Sequence, residues 1–270
     1  MTQDKKVLLC EIISNECIAD GIFKLAVRSA ELAAAHPGQF AMLKCGGATF
    51  LRRPLSLCTT CMKTGTAVFI YRLAGAGTLE LSMKKAGEKL DVIGPLGNGF
   101  EITLGRAAVV GGGIGVIPLL LLVKRLREYG CETDVFAGFQ NAGSVILENE
   151  FRQCSDNLFI TSDDGSAGEK GFVTDLFSAA AKSRPRYDTV YACGPAPMLR
   201  KLHTICAESG VNSQFSLEER MGCGIGACLV CACAVKTGRI TDVADGAETF
   251  SYARVCRDGP VFSLADLIYD

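Results

Sequence analysis

The sequence predicts three structural units: a small antiparallel β barrel, an α/β domain built on a parallel sheet, and a short C-terminal arm. Residues 1–104 contain short apolar runs separated by glycine and proline turns, which is typical of barrel strands. Residues 105–216 alternate strand-like and helix-like segments, the pattern of a parallel sheet covered on both faces. Residues 217–270 begin with a stretch rich in glycine and cysteine, which we take as the start of the arm.

Composition excludes several classes of protein. The 270 residues exceed the usual size of one domain, and the net charge of -1 argues against nucleic acid or an acidic membrane surface as the main partner. The apolar run at 107–123 is shorter than the roughly 20 residues that span a bilayer, and glycines and Pro118 interrupt it. The 14 cysteines, without an N-terminal apolar run long enough for a signal peptide, indicate a reducing cytoplasm.

Two segments of the predicted barrel carry chemically suggestive residues. Arg53-Pro54-Leu55-Ser56 places a guanidinium, which can pair with phosphate oxygens, before a strand that carries a hydroxyl. Tyr71-Arg72 ends a later strand, and the glycine turn after it opens a helix at Gly77-Thr78, where free amides suit a pyrophosphate. A surface arginine pair and an ordinary strand–helix turn would explain each segment taken singly. Strands are predicted at 7–13, 22–27, 39–44, 55–59, 67–72 and 89–93, with a helix at 76–85.

The predicted α/β domain has three loops at the carboxyl ends of its strands, the edge where such sheets bind ligands. The loops lie at 111–115, 161–166 and 193–198, and the first is not the G-x-G-x-x-G fingerprint because Pro118 stands near its third glycine. On the residues alone, a structural turn explains 111–115 as well as a phosphate site does. Strands are predicted at 107–110, 133–137, 158–161, 189–192 and 214–217, and helices from 118 to 129, at 145–152, 172–182 and 197–209.

The arm contains Cys223, Cys228 and Cys231 in the spacing C-x4-C-x2-C, followed by Cys256. That spacing matches the plant-type [2Fe–2S] pattern of three close thiolates and one distant one. The alternatives are a zinc site and buried free thiols, but zinc usually takes two C-x2-C pairs or histidine, and neither histidine is near in sequence. Cys233 fits no ligand position, and a hairpin is predicted around Thr237-Gly238.

The barrel segments and the three loops, in this order, resemble the ferredoxin–NADP reductase superfamily. The resemblance implies that Arg53 and Thr78 hold the pyrophosphate of FAD, that Ser56 approaches the isoalloxazine ring, and that residues 70–72 line the flavin. It also implies that the 111–115 loop lies beside the pyrophosphate of NAD and that Cys193 lies near the nicotinamide as the catalytic residue. After the second strand, residues 138–143 carry no arginine for a 2′-phosphate, which favours NAD over NADP. The implied FAD positions are Arg53, Pro54, Leu55, Ser56, Ile70, Tyr71, Arg72, Gly77 and Thr78, and the NAD positions are Gly111, Gly112, Gly113, Gly115, Asp164, Gly194 and Pro195.

The arm narrows the resemblance further, because its cysteine motif and the segment Val255-Cys256-Arg257-Asp258-Gly259-Pro260 resemble the electron-transfer subunits of class 1B dihydroorotate dehydrogenase. This family implies ligation of a [2Fe–2S] cluster by Cys223, Cys228, Cys231 and Cys256, and NAD(H) as co-substrate. It also implies an FMN-containing catalytic subunit as partner in a heterotetramer of two subunits of each kind, acting in pyrimidine biosynthesis. The 24 residues between Cys231 and Cys256 are many for the family.

Two other functions remain open on the sequence. The small subunit of a bifurcating NADH-dependent ferredoxin:NADP oxidoreductase or sulfide dehydrogenase shares the domain order, but in that family an aspartate replaces one cysteine of the arm. A non-enzymatic redox sensor is the second alternative, and the loops that resemble a nicotinamide site favour turnover instead.

Overall fold

The first unit is a closed barrel of antiparallel strands in the computed structural model, which describes residues 6–183, 186–236 and 250–268. Alternate residues point inward, so that Leu25, Leu57 and Phe69 are completely buried. The strands are β1 (Val7–Ala19), β2 (Ile22–Arg28), β3 (Phe40–Leu43), β4 (Arg53–Cys61), β5 (Thr66–Arg72) and β6 (Lys89–Leu96), with helices α1 (Ala30–Ala33) and α2 (Ala76–Ser82) between them. Around the barrel their order is β1-β2-β5-β4-β3-β6.

The predicted strands of the barrel are present, but β1 continues six residues beyond the predicted end at 13. Polar residues at 14–16 end the apolar alternation, which is why the sequence indicated a shorter strand. The pairing with β2 nevertheless continues to Ala19 across a register shift between Ile12 and Ser14. The short helix α1 was not predicted, because four residues are too few to show a helical period.

The second unit is a parallel sheet in the order β10-β9-β8-β7-β11-β12, with helices on its faces. The chain order reverses between β7 and β11, which makes the carboxyl ends of these two strands the expected ligand-binding crevice. The strands are β7 (Arg106–Gly112), β8 (Glu132–Phe139), β9 (Asn157–Ser162), β10 (Glu169–Lys170), β11 (Thr189–Cys193) and β12 (Asn212–Ser216). The helices are α3 (Ile117–Glu128), α4 (Glu148–Cys154), α5 (Val173–Ser183) and α6 (Ala196–Ser209).

Strand β7, the turn at 113–116 and the first half of helix α3 account for the apolar run at 107–123, and the helix is its longest part. Helix α3 lies between the barrel strand β4 and the sheet, so all of its first seven residues, from Ile117 to Val123, are buried. A helix that is apolar all round is buried on every side, and here a globular interior supplies that environment. Within the described residues, none of the helices combines the length and the hydropathy needed to cross a membrane.

The arm is joined to the second unit by its last strand. Strand β15 (Val261–Ser263) pairs antiparallel with β12, so that it becomes the edge of the same sheet. Before it, β13 (Ala232–Lys236) and β14 (Phe250–Arg254) form a two-stranded antiparallel sheet. The predicted turn at Thr237-Gly238 lies outside the described residues.

We expect the substitution Leu122→Ala to lower the free energy of unfolding by about 2–5 kcal/mol, because it opens a cavity in the contact between α3 and its neighbours. Leu122 is completely buried. The control is Leu104→Ala, whose side chain is 66% exposed and whose loss should change stability by less than about 0.5 kcal/mol. Urea denaturation followed by circular dichroism measures both, and equal effects would contradict the assigned position of α3.

Candidate functional site

The two adjacent arginines before β4 have different environments. The guanidinium of Arg52 pairs with the carboxylate of Asp91 on β6, with contacts of 2.9 Å from both of its terminal nitrogens. Arg53 donates from Nη1 to the carbonyl oxygen of Leu51 at 2.7 Å. In the described parts of the chain, no carboxylate forms an ion pair with Arg53. Arg52 is therefore structural, and the charge of Arg53 remains available to an anion.

Helix α2 brings Gly77 and Thr78 next to Arg53. A Cβ atom at Gly77 would lie only 2.6 Å from Nε of Arg53, so a larger residue there would push the guanidinium away from the helix. The hydroxyl of Thr78 accepts a hydrogen bond from the amide of Ala74 at 2.8 Å and donates to the carbonyl of Gly75 at 3.0 Å. These bonds fix the turn before the helix, and the guanidinium lies directly against its first turn.

A cavity of about 410 Å³ lies where the barrel, the α/β domain and the arm meet. This volume is within the usual range of roughly 300–1,000 Å³ for small-molecule and cofactor pockets. The α/β domain contributes Ile114, Ile117, Pro118 and Cys193 to its wall, and the arm contributes Glu218 and Met221. All the predicted FAD positions except Gly77 line it: Arg53, Pro54, Leu55, Ser56, Ile70, Tyr71, Arg72 and Thr78.

Tyr71 is held in one orientation by a buried polar contact. Its hydroxyl donates to Oδ1 of Asn15 at 3.0 Å, and Nδ2 of Asn15 donates to the carbonyl oxygens of Leu81 and Lys84 at 2.8 and 3.0 Å. Burial raises the pKa of Tyr71 to about 12, which keeps the phenol neutral. Asn15 therefore ties the end of α2 to the barrel wall that carries Tyr71.

Cys193, the last residue of β11, lies opposite Gly111 of β7 and lines the cavity. Burial raises the pKa of its thiol, the nearby carboxylate of Glu218 raises it further, and a hydrogen bond with Ser216 opposes both effects. The thiol is therefore neutral at physiological pH. A neutral thiol is a poor nucleophile, so Cys193 is suited to contact a ligand rather than to attack it.

Glu218 is a candidate functional residue that the sequence analysis did not identify. It lies in the cavity wall with part of its side chain exposed to solvent, and partial desolvation of its carboxyl group raises its pKa. Strand β12 ends at Ser216, so residues 216–218 lie at the carboxyl ends of the parallel strands, as Cys193 does. Because such sheets bind ligands at this edge, the position could have indicated residues 216–218 from the sequence.

The glycines at 111–115 have a packing role that the structure makes visible. A Cβ at Gly112 would lie 2.6 Å from Sδ of Met198, and one at Gly115 would lie 2.6 Å from the carbonyl oxygen of Cys193. Gly113, with φ of 53°, has no atom within 4 Å of such a position and faces open space. Close packing of two neighbouring loops explains Gly112 and Gly115, and Gly113 is the member of this loop that is open to a ligand.

The structure does not bring the other predicted NAD residues to the cavity wall. Asp164 lies in the loop after β9, where its Oδ1 accepts bonds from the hydroxyl and the amide of Ser166 at 2.6 and 2.9 Å, and these bonds lower its pKa. Gly194 and Pro195 connect β11 to α6, with Pro195 at the cap position of the helix. Of the predicted nicotinamide and NAD positions, Cys193 alone lines the cavity.

The four cysteines of the arm meet in two pairs, although more than twenty residues separate the last two. Burial would raise the pKa of Cys223, but the amides of Ile225, Cys228 and Ala227 donate to its sulfur at 3.3–3.4 Å, and together with the Cys228 thiol they lower it to about 6. The amide of Gly226 donates to the sulfur of Cys256 at 3.1 Å. Amides directed at sulfur are the environment that stabilises a thiolate.

The four thiols are arranged as two pairs, Cys223 with Cys228 and Cys231 with Cys256. Side-chain hydrogen bonds join the members of each pair, and burial together with the Cys231 thiol raises the pKa of Cys256 to about 12. Within 6–183, 186–236 and 250–268, no group of three or more His, Cys, Asp or Glu side chains is arranged to hold a metal ion. Two thiol pairs with amides directed at their sulfurs can supply the four thiolates that a two-iron cluster takes.

The cysteine loop, by which we mean residues 217–236 and 250–260, packs against the barrel next to the cavity. A Cβ at Gly224, whose φ is 71°, would overlap the side chain of Met42 on β3, so glycine is needed for this contact. Cys231 and Cys256 belong to the same buried apolar cluster as Met42, with Met221 packed on it. Met221 also lines the cavity, so the cavity wall and the cysteine loop share one packed interior.

Comparisons with known proteins agree with this arrangement. The family model for the iron–sulfur cluster binding domain of dihydroorotate dehydrogenase B matches residues 218–268. The electron transfer subunit of dihydroorotate dehydrogenase B (NAD+) from Geobacillus thermodenitrificans is 42% identical over 265 residues, covering 95% of this chain and 96% of the relative. Its counterpart from Clostridium perfringens is 39% identical and covers 94% of each chain.

Solved structures show the same fold. A structure of the NADH-dependent reduced ferredoxin-NADP oxidoreductase superposes with a TM-score of 0.81 at 32% identity, over 98% of this chain and 90% of that one. A ferredoxin NADP+ reductase from Neisseria gonorrhoeae with bound FAD and NADP gives a TM-score of 0.64 at 14% identity, over 77% of this chain and 93% of that one, which shows the fold alone.

The barrel, the parallel sheet and the cysteine arm are thus found together in relatives that align over nearly their whole length. The chain belongs to the family of electron transfer subunits of dihydroorotate dehydrogenase B (NAD+).

Proposed function

We propose that this chain is the electron-transfer subunit of a two-subunit enzyme that oxidises dihydroorotate to orotate and reduces NAD+, in pyrimidine biosynthesis. The observation that carries the proposal is the cavity, in which the barrel residues around Arg53, the thiol of Cys193 and Met221 of the cysteine loop share one wall. In this proposal the flavin, nicotinamide and iron–sulfur sites are adjacent, as electron transfer between them requires.

The proposal divides the chain into FAD-binding residues 1–104, NAD-binding residues 105–216 and cluster-binding residues 217–270. Arg53 pairs with the pyrophosphate of FAD, Thr78 and Gly77 form the turn that receives it, and Ser56 faces the ring. Cys223, Cys228, Cys231 and Cys256 ligate the [2Fe–2S] cluster. When bound, FAD exchanges electrons in pairs with nicotinamide and singly with an iron–sulfur centre.

The NAD site is proposed at the crevice between β7 and β11. Cys193 contacts the nicotinamide as a neutral thiol, and the open backbone at Gly113 approaches the pyrophosphate. Gly111, Gly112, Gly115, Gly194 and Pro195 shape the two loops around it, and Asp164 lies farther along the same sheet edge. The carboxylate of Glu218 adds a negative charge to the cavity, which favours the cationic ring of NAD+ over the neutral ring of NADH.

The partner in this proposal is an FMN-containing catalytic subunit, in a heterotetramer of two subunits of each kind. Cys228 and the neighbouring Leu229 and Val230 are exposed on the surface of the cysteine loop, which supports this face as the contact. None of the 14 cysteines, all of which lie in the described residues, forms a disulfide, so we place the assembly in the reducing cytoplasm. Light scattering on the co-purified complex measures the stoichiometry.

The decisive experiment is a visible spectrum and an iron assay on the anaerobically purified chain, alone and co-expressed with the catalytic subunit. The proposal expects two irons per FAD, and dihydroorotate-dependent reduction of NAD+ only when the partner is present. Flavin and iron without that coupling would favour the ferredoxin:NADP oxidoreductase alternative, whose structure is 32% identical to this chain. Zinc in place of iron would refute the cluster.

We expect Arg53→Gln to weaken FAD binding by about tenfold to a hundredfold, since a hydrogen bond to a charged group contributes roughly 1.5–3 kcal/mol. Fluorescence titration of the protein stripped of flavin measures the dissociation constant. Arg52→Gln is the matched control: it removes the same charge one residue away, breaks the pair with Asp91 and should leave FAD affinity within about twofold. Equal losses in the two variants would show that Arg53 has no specific role.

We expect Cys228→Ser to abolish dihydroorotate-linked NAD+ reduction while NADH oxidation by artificial dyes continues, because the flavin and nicotinamide sites are intact without the cluster. Iron content falls with the coupled activity. Cys233→Ser, at a half-buried thiol on β13 outside the ligand set, should retain both irons. Full coupled activity in Cys228→Ser would contradict the ligand assignment.

We expect the KM for NAD+ to rise as pH falls through the raised pKa of Glu218, because protonation removes the charge that attracts the nicotinamide cation. In Glu218→Gln the charge is absent at every pH, so the KM should be high throughout, by about threefold to tenfold, and lose this acid dependence. Initial rates between pH 5 and 8 measure it. Glu208→Gln, at an exposed carboxylate on α6 outside the cavity wall, should leave the KM unchanged, and an effect equal to that of Glu218→Gln would argue against a specific role for Glu218.

A further inference from the structure

Arg254, the last residue of β14, connects two segments of the cysteine loop. Its Nη1 donates to the carbonyl oxygen of Gly226 at 3.2 Å, and its Nε donates to Oδ2 of Asp258 at 3.0 Å. The same carboxylate oxygen accepts a hydrogen bond from the backbone amide of Arg254 at 2.9 Å. The guanidinium is therefore anchored on one side by Asp258 and holds the carbonyl of Gly226 on the other.

That carbonyl belongs to the peptide group between Gly226 and Ala227, whose N–H donates to the sulfur of Cys223 at 3.3 Å. A peptide group is planar and its C=O and N–H point in opposite directions, so fixing the oxygen also fixes the direction of the N–H. Hydrogen bonds at the two ends of one amide also polarise each other and strengthen the donor. A hydrogen bond from Arg254 thus controls an amide that faces a ligand sulfur.

The amide on the other side of Gly226 is directed in the same way. It donates to the sulfur of Cys256 at 3.1 Å, the shortest of the amide–sulfur contacts of the described loop. Gly226 has a φ of 83°, a conformation that relies on glycine and that is retained because its neighbours hold it. The stem of Arg257 packs where a Cβ would lie, with Cδ at 2.8 Å from that position.

We propose that Arg254, anchored by Asp258, positions the Gly226–Ala227 peptide so that its N–H faces the sulfur of Cys223, and thereby raises the reduction potential of the [2Fe–2S] cluster. The inference rests on the proposed ligation of that cluster by the four cysteines. Reduction adds one negative charge to the group that the thiolates hold. Hydrogen bonds to sulfur stabilise the more negative state, so a well-directed amide makes reduction more favourable. Arg254 is in this sense a positioning residue.

The test is a potentiometric titration followed by electron paramagnetic resonance, on the chain co-purified with its catalytic subunit, together with an iron assay. Arg254→Gln should lower the reduction potential, with the reduction equilibrium changing by up to about tenfold, which is about 59 mV for one electron. Arg254→Lys should lower it nearly as much, because a single ammonium group keeps the charge but does not span Gly226 and Asp258 as the guanidinium fork does.

Arg257→Gln is the matched control, because it removes an equal charge from the same turn. Arg257 reaches Asp258 only at 4.0 Å and contacts Gly226 through its stem, so its loss should shift the potential less. A wild-type potential in Arg254→Lys, or equal shifts in Arg254→Gln and Arg257→Gln, would show that charge alone acts, and would overturn the positioning role.

Two further outcomes are decisive. If the Arg254 variants lose iron, Asp258→Asn is measured in their place, because this variant keeps the guanidinium and weakens its anchor. An unchanged reduction potential in Asp258→Asn would overturn the proposal. If the wild-type chain holds two irons but none of these variants shifts the potential, the positioning role fails while the ligand assignment stands. A wild-type chain without a [2Fe–2S] signal would refute the ligand assignment itself, and the positioning role with it.

Discussion

The burial of helix α3 between the barrel and the sheet is the contact on which the site depends. The first turn of the helix places Ile117 and Pro118 in the cavity wall, while Leu120 and Leu122 behind them are buried in the interior. Barrel strand β4 carries the residues from Arg53 to Ser56 and rests on this helix. Because close-packed interiors move as units, α3 fixes the distance between the barrel face and Cys193 on β11. The apolar run at 107–123 is therefore the element that makes one site out of two domains.

Two glycines of the functional motifs are required by the chain around them. A Cβ at Gly115 would overlap the backbone carbonyl of Cys193, and Gly224 combines a φ of 71° with a close contact to the side chain of Met42. At Gly77 the neighbour is the end of the flexible Arg53 side chain, which can move aside. Packing accounts for Gly115 and Gly224 without a ligand. A motif glycine is consequently weak evidence for a phosphate site unless, as at Gly113, the space beside it is open.

The sequence was sufficient to predict what depends on local pattern. The barrel strands, the alternation of strands and helices, and the cysteine spacing all have short periods or fixed intervals, and the structure contains each of these elements. It was not sufficient for contacts between distant residues. The residues near Val261 do not indicate that β15 joins the sheet beside β12. The two strands are more than forty residues apart, and pairing between strands so distant produces no recognisable pattern in the local sequence. Glu218 was overlooked because it precedes a conspicuous motif, and Arg254 because its partner Gly226 is remote in sequence. For Asp164, which the resemblance implied, the structure shows local bonds to Ser166 and a position away from the cavity wall.

The two ends of the cysteine loop return to the same edge of the cavity. The amide of Leu217 donates to the carbonyl of Pro260 at 2.9 Å, and both residues line the cavity wall. The barrel is attached there as well, since the amide of Asn98 donates to the carbonyl of Gly259 at 2.7 Å. Because the hydrogen bond between Leu217 and Pro260 joins the two ends of the loop in the cavity wall, the loop cannot shift without disturbing that wall. Sites built on such fixed supports keep their geometry. The short hydrogen-bonded connection between Leu217 and Pro260, more than the number of residues in the loop, is therefore the feature that holds the cysteine loop against the cavity.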